Sequence, residues 1–182
     1  MKSIKGLLVV VLIVVGFTAN AQFKFGLGGG LNMSNLGGSD ISNTDSRLGF
    51  NGGLMMEVKL PIKLGVELDV LFSSKGAKML GSSDGMKLSY IDLPVVMKIY
   101  MAKVISFQLG AQYSMLLSAK SSGFDVKDEL KPSDLSAVLG LGVDVLKLHV
   151  SARYNYGLTS IDDAGADIKN NMLTFSVGYW IK

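Results

Sequence analysis

The carboxylates and bases that could do chemistry here are few and spread out. Glu67 and Asp69 are two apart, so on an extended chain they point the same way, as a general acid/base pair would. His149 is the sole histidine, which excludes any multi-histidine metal site. With Ser151 and an Asp it could imitate a hydrolase or acyltransferase site, although packing inside the fold is its blander role. Gly26-Leu27-Gly28-Gly29-Gly30 has the glycine spacing of a nucleotide loop but lacks the helix such a loop must open. Asp162-Asp163-Ala164-Gly165-Ala166-Asp167 lacks the spacing and distal Glu of a calcium loop, and reads as a solvated loop. No catalytic, metal or cofactor site is expected.

The elements that carry these residues are strands. Met172 to Lys182 sets Leu173, Phe175, Val177, Tyr179 and Ile181 against Thr174, Ser176, Gly178, Trp180 and Lys182. Side chains alternate across a strand, so one face is apolar and the other mostly small or polar. Tyr179 and Trp180 stand near its end, as aromatics do at a membrane interface. The same zigzag recurs in Phe23–Met33, Arg47–Leu60, Leu64–Ser73, Lys87–Tyr100, Val104–Leu117, Asp134–Val145 and Leu148–Leu158. That predicts eight strands. Polar loops at Ser34–Ser46, Ser74–Met86, Ser118–Ser133 and Thr159–Asn170 alternate with tight turns at Pro61, Ala102-Lys103 and Leu146-Lys147. Long extracellular loops and short periplasmic turns are the rhythm of an outer-membrane barrel, and an even strand number leaves both ends in the periplasm. The expected fold is all-β: an eight-stranded antiparallel up-and-down transmembrane barrel.

The front end fits this compartment. Lys2 and Lys5, the apolar run Leu7–Phe17 and Ala19-Asn20-Ala21 read as a cleaved signal peptide over residues 1–21, leaving one barrel domain over 22–182. The chain has 182 residues and no Cys, which rules out a disulfide or a thiolate metal site. The net charge of +3 includes Lys2 and Lys5, and falls to about +1 without them, so the charge is no argument for nucleic acid.

Alternation alone does not say which face meets lipid; composition does. The apolar faces carry Leu, Phe, Ile, Val, Met and Tyr. The opposite faces carry isolated charges among Gly, Ser, Asn and Gln, whereas a soluble exterior would hold many Lys and Glu. The expected lumen charges are Lys24, Glu57, Lys59, Glu67, Asp69, Asp92, Lys98, Asp144 and Arg153. Buried charges must pair, and eight strands leave an interior that side chains just fill, so an internal ion-pair network should plug the barrel. Pro94 falls mid-strand and cannot donate to a ladder, which predicts a bulge or a missing hydrogen bond there.

Tyr90-Ile91-Asp92-Leu93-Pro94-Val95-Val96-Met97-Lys98 resembles the (Y)-x-(E/D)-(I/L)-P-(L/V)-x-x-K strand of the PorT-like outer-membrane β-barrel family of Bacteroidetes. Glu67 to Gly76 resembles that family's E-x-x-Y-x-x-K-G strand and loop, with Leu71 near where the aromatic residue is usual. The first strand, Phe25 to Gly30, is also similar. The resemblance implies a barrel in the outer membrane of a Gram-negative bacterium, and no particular activity.

The expected role is structural or binding, with lipid around the barrel and surface ligands or envelope proteins at its long loops. A narrow pore for ions or small solutes is the alternative. An enzyme around His149 is a third, and a soluble lipocalin-like barrel is the runner-up fold. The face assignment makes a test. Leu109→Arg, on the lipid face near mid-strand, should cost about 2–4 kcal/mol in a folding titration in lipid vesicles, while Gln108→Arg, facing the lumen, should cost less; inverted faces would reverse the order.

Overall fold

A computed structural model describes residues 22–37, 44–79, 85–121, 124–127, 130–161 and 168–182. The expected signal peptide and the Asp162–Asp167 stretch lie outside them.

The described strands are β1 (Gln22–Gly37), β2 (Thr44–Leu60), β3 (Leu64–Met79), β4 (Gly85–Tyr100), β5 (Ile105–Ser121), β6 (Phe124–Asp125), β7 (Ser133–Val145), β8 (Leu148–Gly157) and β9 (Lys169–Trp180). β6 is a two-residue ribbon paired only with β5. The other eight are staves. Each pairs antiparallel with the next, and β1 pairs with β9 to close the sheet. The sequence therefore specifies an eight-stranded barrel of up-and-down order, as the alternation predicts.

The faces also fall as expected. Leu27, Leu54, Leu109, Leu139, Leu141, Phe175 and Val177 are all exposed on the outside. Glu57, Glu67, Lys98, Gln108 and His149 are wholly buried inside. An apolar exterior around a charged interior inverts a soluble protein, and it suits only an apolar solvent.

Three details refine or correct the expectations. First, the strands run on into the segments read as loops: β1 continues to Gly37, β3 to Met79 and β5 to Ser121, while β4 begins at Gly85 and β9 at Lys169. A 16-residue strand is about 50 Å long and, tilted at about 40°, rises well above an apolar band of about 25 Å. Hydrophobic alternation stops where the acyl chains stop, but the hydrogen-bonded ladder has no need to. Secondly, of the two outcomes expected at Pro94, a bulge or a missing hydrogen bond, the structure shows the missing bond. The β3–β4 ladder breaks after Leu68↔Val95 and resumes at Leu71↔Asp92 in the same register, while Pro94 still sits opposite Gln112 of β5. The missing N–H interrupts the β3–β4 ladder at Asp69/Pro94 and Val70/Leu93 without shifting its register. A register shift occurs at Ser89/Tyr90, and across it Leu116 on one side and Ala119 on the other both point inward. Thirdly, Trp180 is not an interfacial aromatic. It is 3% exposed and faces the lumen, whereas Tyr179 is exposed beside it.

Glycines on the inner face leave room for long neighbours. A Cβ on Gly28 or Gly178 would strike the Met55 sulfur, and one on Gly142 would strike the Gln108 amide. Small residues opposite large ones let a narrow barrel fill completely.

Candidate functional site

The lumen is built in layers, each set by which residues the strands turn inward. Lowest, at the end of the tight turns, Lys98 of β4 is the hub. Its Nζ lies 3.1 Å from Glu57 Oε2, is ion-paired with Glu67 Oε2, and stands 3.9 Å from Asp144 Oδ2. Arg153 of β8 forks across the barrel: Nη2 donates to Glu67 Oε1, Nη1 to Asp69 Oδ2 at 2.9 Å, and Nε to Gln108 Oε1 at 2.7 Å. Glu67 thus bridges the two cations, each oxygen held by one of them.

Asp144 is held from three sides. Trp180 Nε1–H donates to Oδ1 at 3.1 Å, His149 Nδ1 lies 2.9 Å from the same oxygen, and the Tyr100 hydroxyl is 3.1 Å from Oδ2. The Tyr100 proton also faces Glu57 Oε1 at 2.5 Å. The lone histidine is therefore an orienting partner of a buried carboxylate, and its Nε2 has no hydrogen-bond partner among the described residues.

Above this lies a neutral layer. Asn51 Nδ2 donates to Asn32 Oδ1 at 2.7 Å, Asn32 Nδ2 to Ser73 Oγ at 2.8 Å, and Thr174 Oγ1 to Asn32 Oδ1 at 3.3 Å. The cavities left at this level are about 20 and 10 Å³, no more than a water each. Higher still, Lys75 Nζ binds Asp92 Oδ1 at 2.7 Å and Ser114 Oγ at 3.0 Å, with the Tyr90 ring 4.6 Å away. At the top Leu88, Tyr90, Leu116, Ala119 and Ile161 form a small apolar core, with Met86, Val126, Leu130 and Ile168 packed against it. Ile161 pins the last long connection to the one before: its carbonyl accepts from Lys131 N–H at 2.8 Å and its N–H donates to Ile168 O at 2.8 Å.

Of the nine charges read from the sequence, Glu57, Glu67, Asp69, Asp92, Lys98, Asp144 and Arg153 are in buried ion pairs. Lys24 and Lys59 are not. They are half-buried at the lower mouth, with Nζ 5.5 Å from the Trp180 ring centre and 3.7 Å from that of Tyr100. Their ammonium groups snorkel towards water across aromatic faces. Reading β3 as ending at Ser73 hid Lys75: residues 67, 69, 71, 73 and 75 share one face, and the longer strand carries the fifth inside. Trp180 and Tyr100 were legible as inward positions, but their roles as donors to Asp144 and Glu57 depend on cross-barrel neighbours that no local pattern reveals.

The two short motifs now have a physical meaning. Glu67 and Lys75 of one meet Lys98 and Asp92 of the other across the β3–β4 pair, so adjacent strands supply complementary charges at two heights. One expectation is overturned here. Gln108 is fully buried against the Arg153 guanidinium, so Gln108→Arg would press two cations together and is no mild control for Leu109→Arg.

A closed sheet with a greasy exterior and a polar interior crossed by buried ion pairs defines a transmembrane β-barrel of the bacterial outer membrane. The chain belongs to the family described as outer membrane protein beta-barrel domain, whose model matches residues 18–163. Among solved structures it is similar to Ail, the attachment invasion locus protein of Yersinia pestis, in complex with the heparin analogue sucrose octasulfate: 18% identity over 88% of this chain and 99% of that one, TM-score 0.57. It is also similar to Neisserial surface protein A, at 16% identity over 85% of this chain and 96% of that one, TM-score 0.60. At these identities the likeness speaks for the fold. No curated protein matches the chain by sequence.

Removing one partner of a buried pair leaves an uncompensated charge. Lys98→Met should therefore cost roughly 3–5 kcal/mol in a urea folding titration in lipid vesicles. Adding Glu57→Gln should restore part of it, because the amide still accepts from the Tyr100 hydroxyl. A single variant as stable as the parent would contradict the hub assignment.

Proposed function

We propose that this protein is a closed, non-catalytic barrel that acts through its extracellular end, as a structural or binding element of the cell surface. The observation that carries this is the layered plug: ion pairs around Lys98 and Arg153, the amide layer of Asn32 and Asn51, the Lys75–Asp92 pair and the apolar core at Leu88 and Ile161 lie one above another along the lumen. A solute would have to break each in turn. The strands that rise above the apolar band form a rigid stalk, and the long connections it bears meet ligands or envelope proteins. That Ail has been solved with a sugar sulfate bound supports a ligand-meeting role for such a barrel without naming a ligand for this one.

Burial argues against chemistry at His149. The ring is sealed inside, with Nδ1 committed to Asp144. We further infer that residues 1–21 are a cleaved export signal and that the chain falls in the PorT-like branch found in Bacteroidetes; support for the branch is the motif pair whose charges complete the plug.

In planar lipid bilayers at millimolar solute the purified barrel should show no discrete channel events. Reproducible unitary conductance from the unmodified protein would contradict the plug and favour a pore. A His149→Ala variant should leave the membrane lipid profile unchanged, and a changed profile would reopen the enzymatic reading.

A further inference from the structure

The charges outside the lumen are sorted by side. Each of the three tight turns carries one lysine and one outward apolar residue: Ile62 and Lys63, Met101 and Lys103, Leu146 and Lys147. Lys24 and Lys59 stand at the mouth, and Lys182 lies beside β1, where Phe25 N–H donates to its carbonyl at 3.0 Å. No Asp or Glu lies in these turns or in the terminal residues next to them. The opposite end mixes both signs, with Lys87, Lys120, Lys127 and Lys131 beside the exposed Asp125 and the buried Asp134. The six lysines therefore form a collar at the periplasmic rim that contains no acidic side chain.

The apolar residues of the turns place that collar relative to the bilayer. Ile62 is 69% exposed, Met101 60% and Leu146 97%. Turn tips that project into water are normally polar, so three greasy tips argue that the turns sit at the edge of the acyl region. Each lysine then falls at the level of the lipid headgroups, where ammonium groups on long stems settle. Lys147 lies 5.8 Å from the ring centre of Tyr179, itself exposed on the outer wall. Between the first two turns is an open cleft of about 710 Å³, lined by Lys59, Lys63 and Lys103 with Pro61 and Tyr100. Its floor is fixed, since Tyr100 N–H donates to Lys63 O at 2.8 Å. A cleft with three ammonium groups and no carboxylate fits a phosphate.

We propose that the periplasmic collar, centred on this cleft, binds the phosphate of anionic phospholipids in the inner leaflet of the outer membrane. The apolar tips hold the acyl chains at the rim while Lys59, Lys63 and Lys103 take the headgroup. The site is built from lysines of separate turns, so no short segment of the sequence displays it.

The test uses spin-labelled lipids in phosphatidylcholine vesicles that hold the folded barrel. The fraction of label immobilised at the protein should be at least about twofold greater for phosphatidylglycerol than for phosphatidylcholine in low salt. The preference should vanish in 1 M NaCl, where the screening length is about 3 Å. The triple variant Lys63→Ser, Lys103→Ser, Lys147→Ser should lose the preference while keeping the heat-modifiable gel shift of a folded barrel. The extracellular pair Lys87→Ser, Lys120→Ser should keep it. Inorganic phosphate at millimolar concentration should leave the preference intact; if it abolishes the preference, the site is one for free phosphate and the lipid assignment fails. Equal immobilisation of both lipids by the unmodified barrel, or a preference unaltered in the triple variant, would overturn the proposal.

Discussion

Lipid on the outside forbids an unpaired charge on the inside, and most of this structure follows from that constraint. Water cannot reach the middle of the lumen in bulk, so each ion there must find its partner on another strand. Lys98 meets three carboxylates drawn from β2, β3 and β7, and Arg153 of β8 reaches Glu67 and Asp69 of β3 on the opposite wall. Apart from Lys98–Glu67, which spans the adjacent β3 and β4, these pairs tie together staves that share no ladder. They specify the register as well, because a one-residue slip would turn a buried cation into the acyl chains.

The interior carries charges of both signs, and those of the ion-pair layers answer one another, while the buried Asp134 accepts from the Thr159 hydroxyl nearer the top. Glu57, Glu67, Asp69, Asp92 and Asp144 are answered by Lys98, Arg153 and Lys75, with Lys24 and Lys59 at the mouth. The mouth lysines belong to two systems: their charge offsets the lower carboxylates, and Lys59 also lines the periplasmic cleft. Aromatic rings at the boundary, Tyr100 and Trp180, shield the plug from water while donating to it. The result is a molecule sealed by charge pairing at one end and by apolar packing at the other.

Much of this was legible in the sequence because a barrel wall repeats every two residues. Leu173, Phe175 and Val177 against Thr174, Ser176 and Gly178 state which side is greasy, and seven of the nine inward charges are paired as the alternation implied. What the pattern could not supply was the end of each strand and the identity of each partner. Lys75 looked like a loop residue because Ser73 and Ser74 precede it, yet a ladder continues through polar residues without penalty. Trp180 looked like an interfacial ring because its neighbour Tyr179 is one; only its tie to Asp144, 36 residues earlier, shows otherwise. The apolar core at Leu88, Leu116 and Ile161 joins three distant segments and follows a register shift, which no periodicity announces. Contacts of this range are set by closure of the sheet, not by local chemistry.

The absence of cysteine makes the central claim directly measurable, since a single introduced thiol can carry a spin label at any chosen site. Labels placed one at a time from Leu173 to Tyr179 in the vesicle-embedded barrel can be read for collision with oxygen, which partitions into lipid, and with a water-soluble nickel chelate. The account predicts high oxygen accessibility at Leu173, Phe175, Val177 and Tyr179, and shielding from both reagents at Thr174 and Ser176. Free access of the nickel chelate to Thr174 and Ser176, or the opposite phase of the oxygen signal, would contradict a sealed charged interior inside a lipid-facing wall.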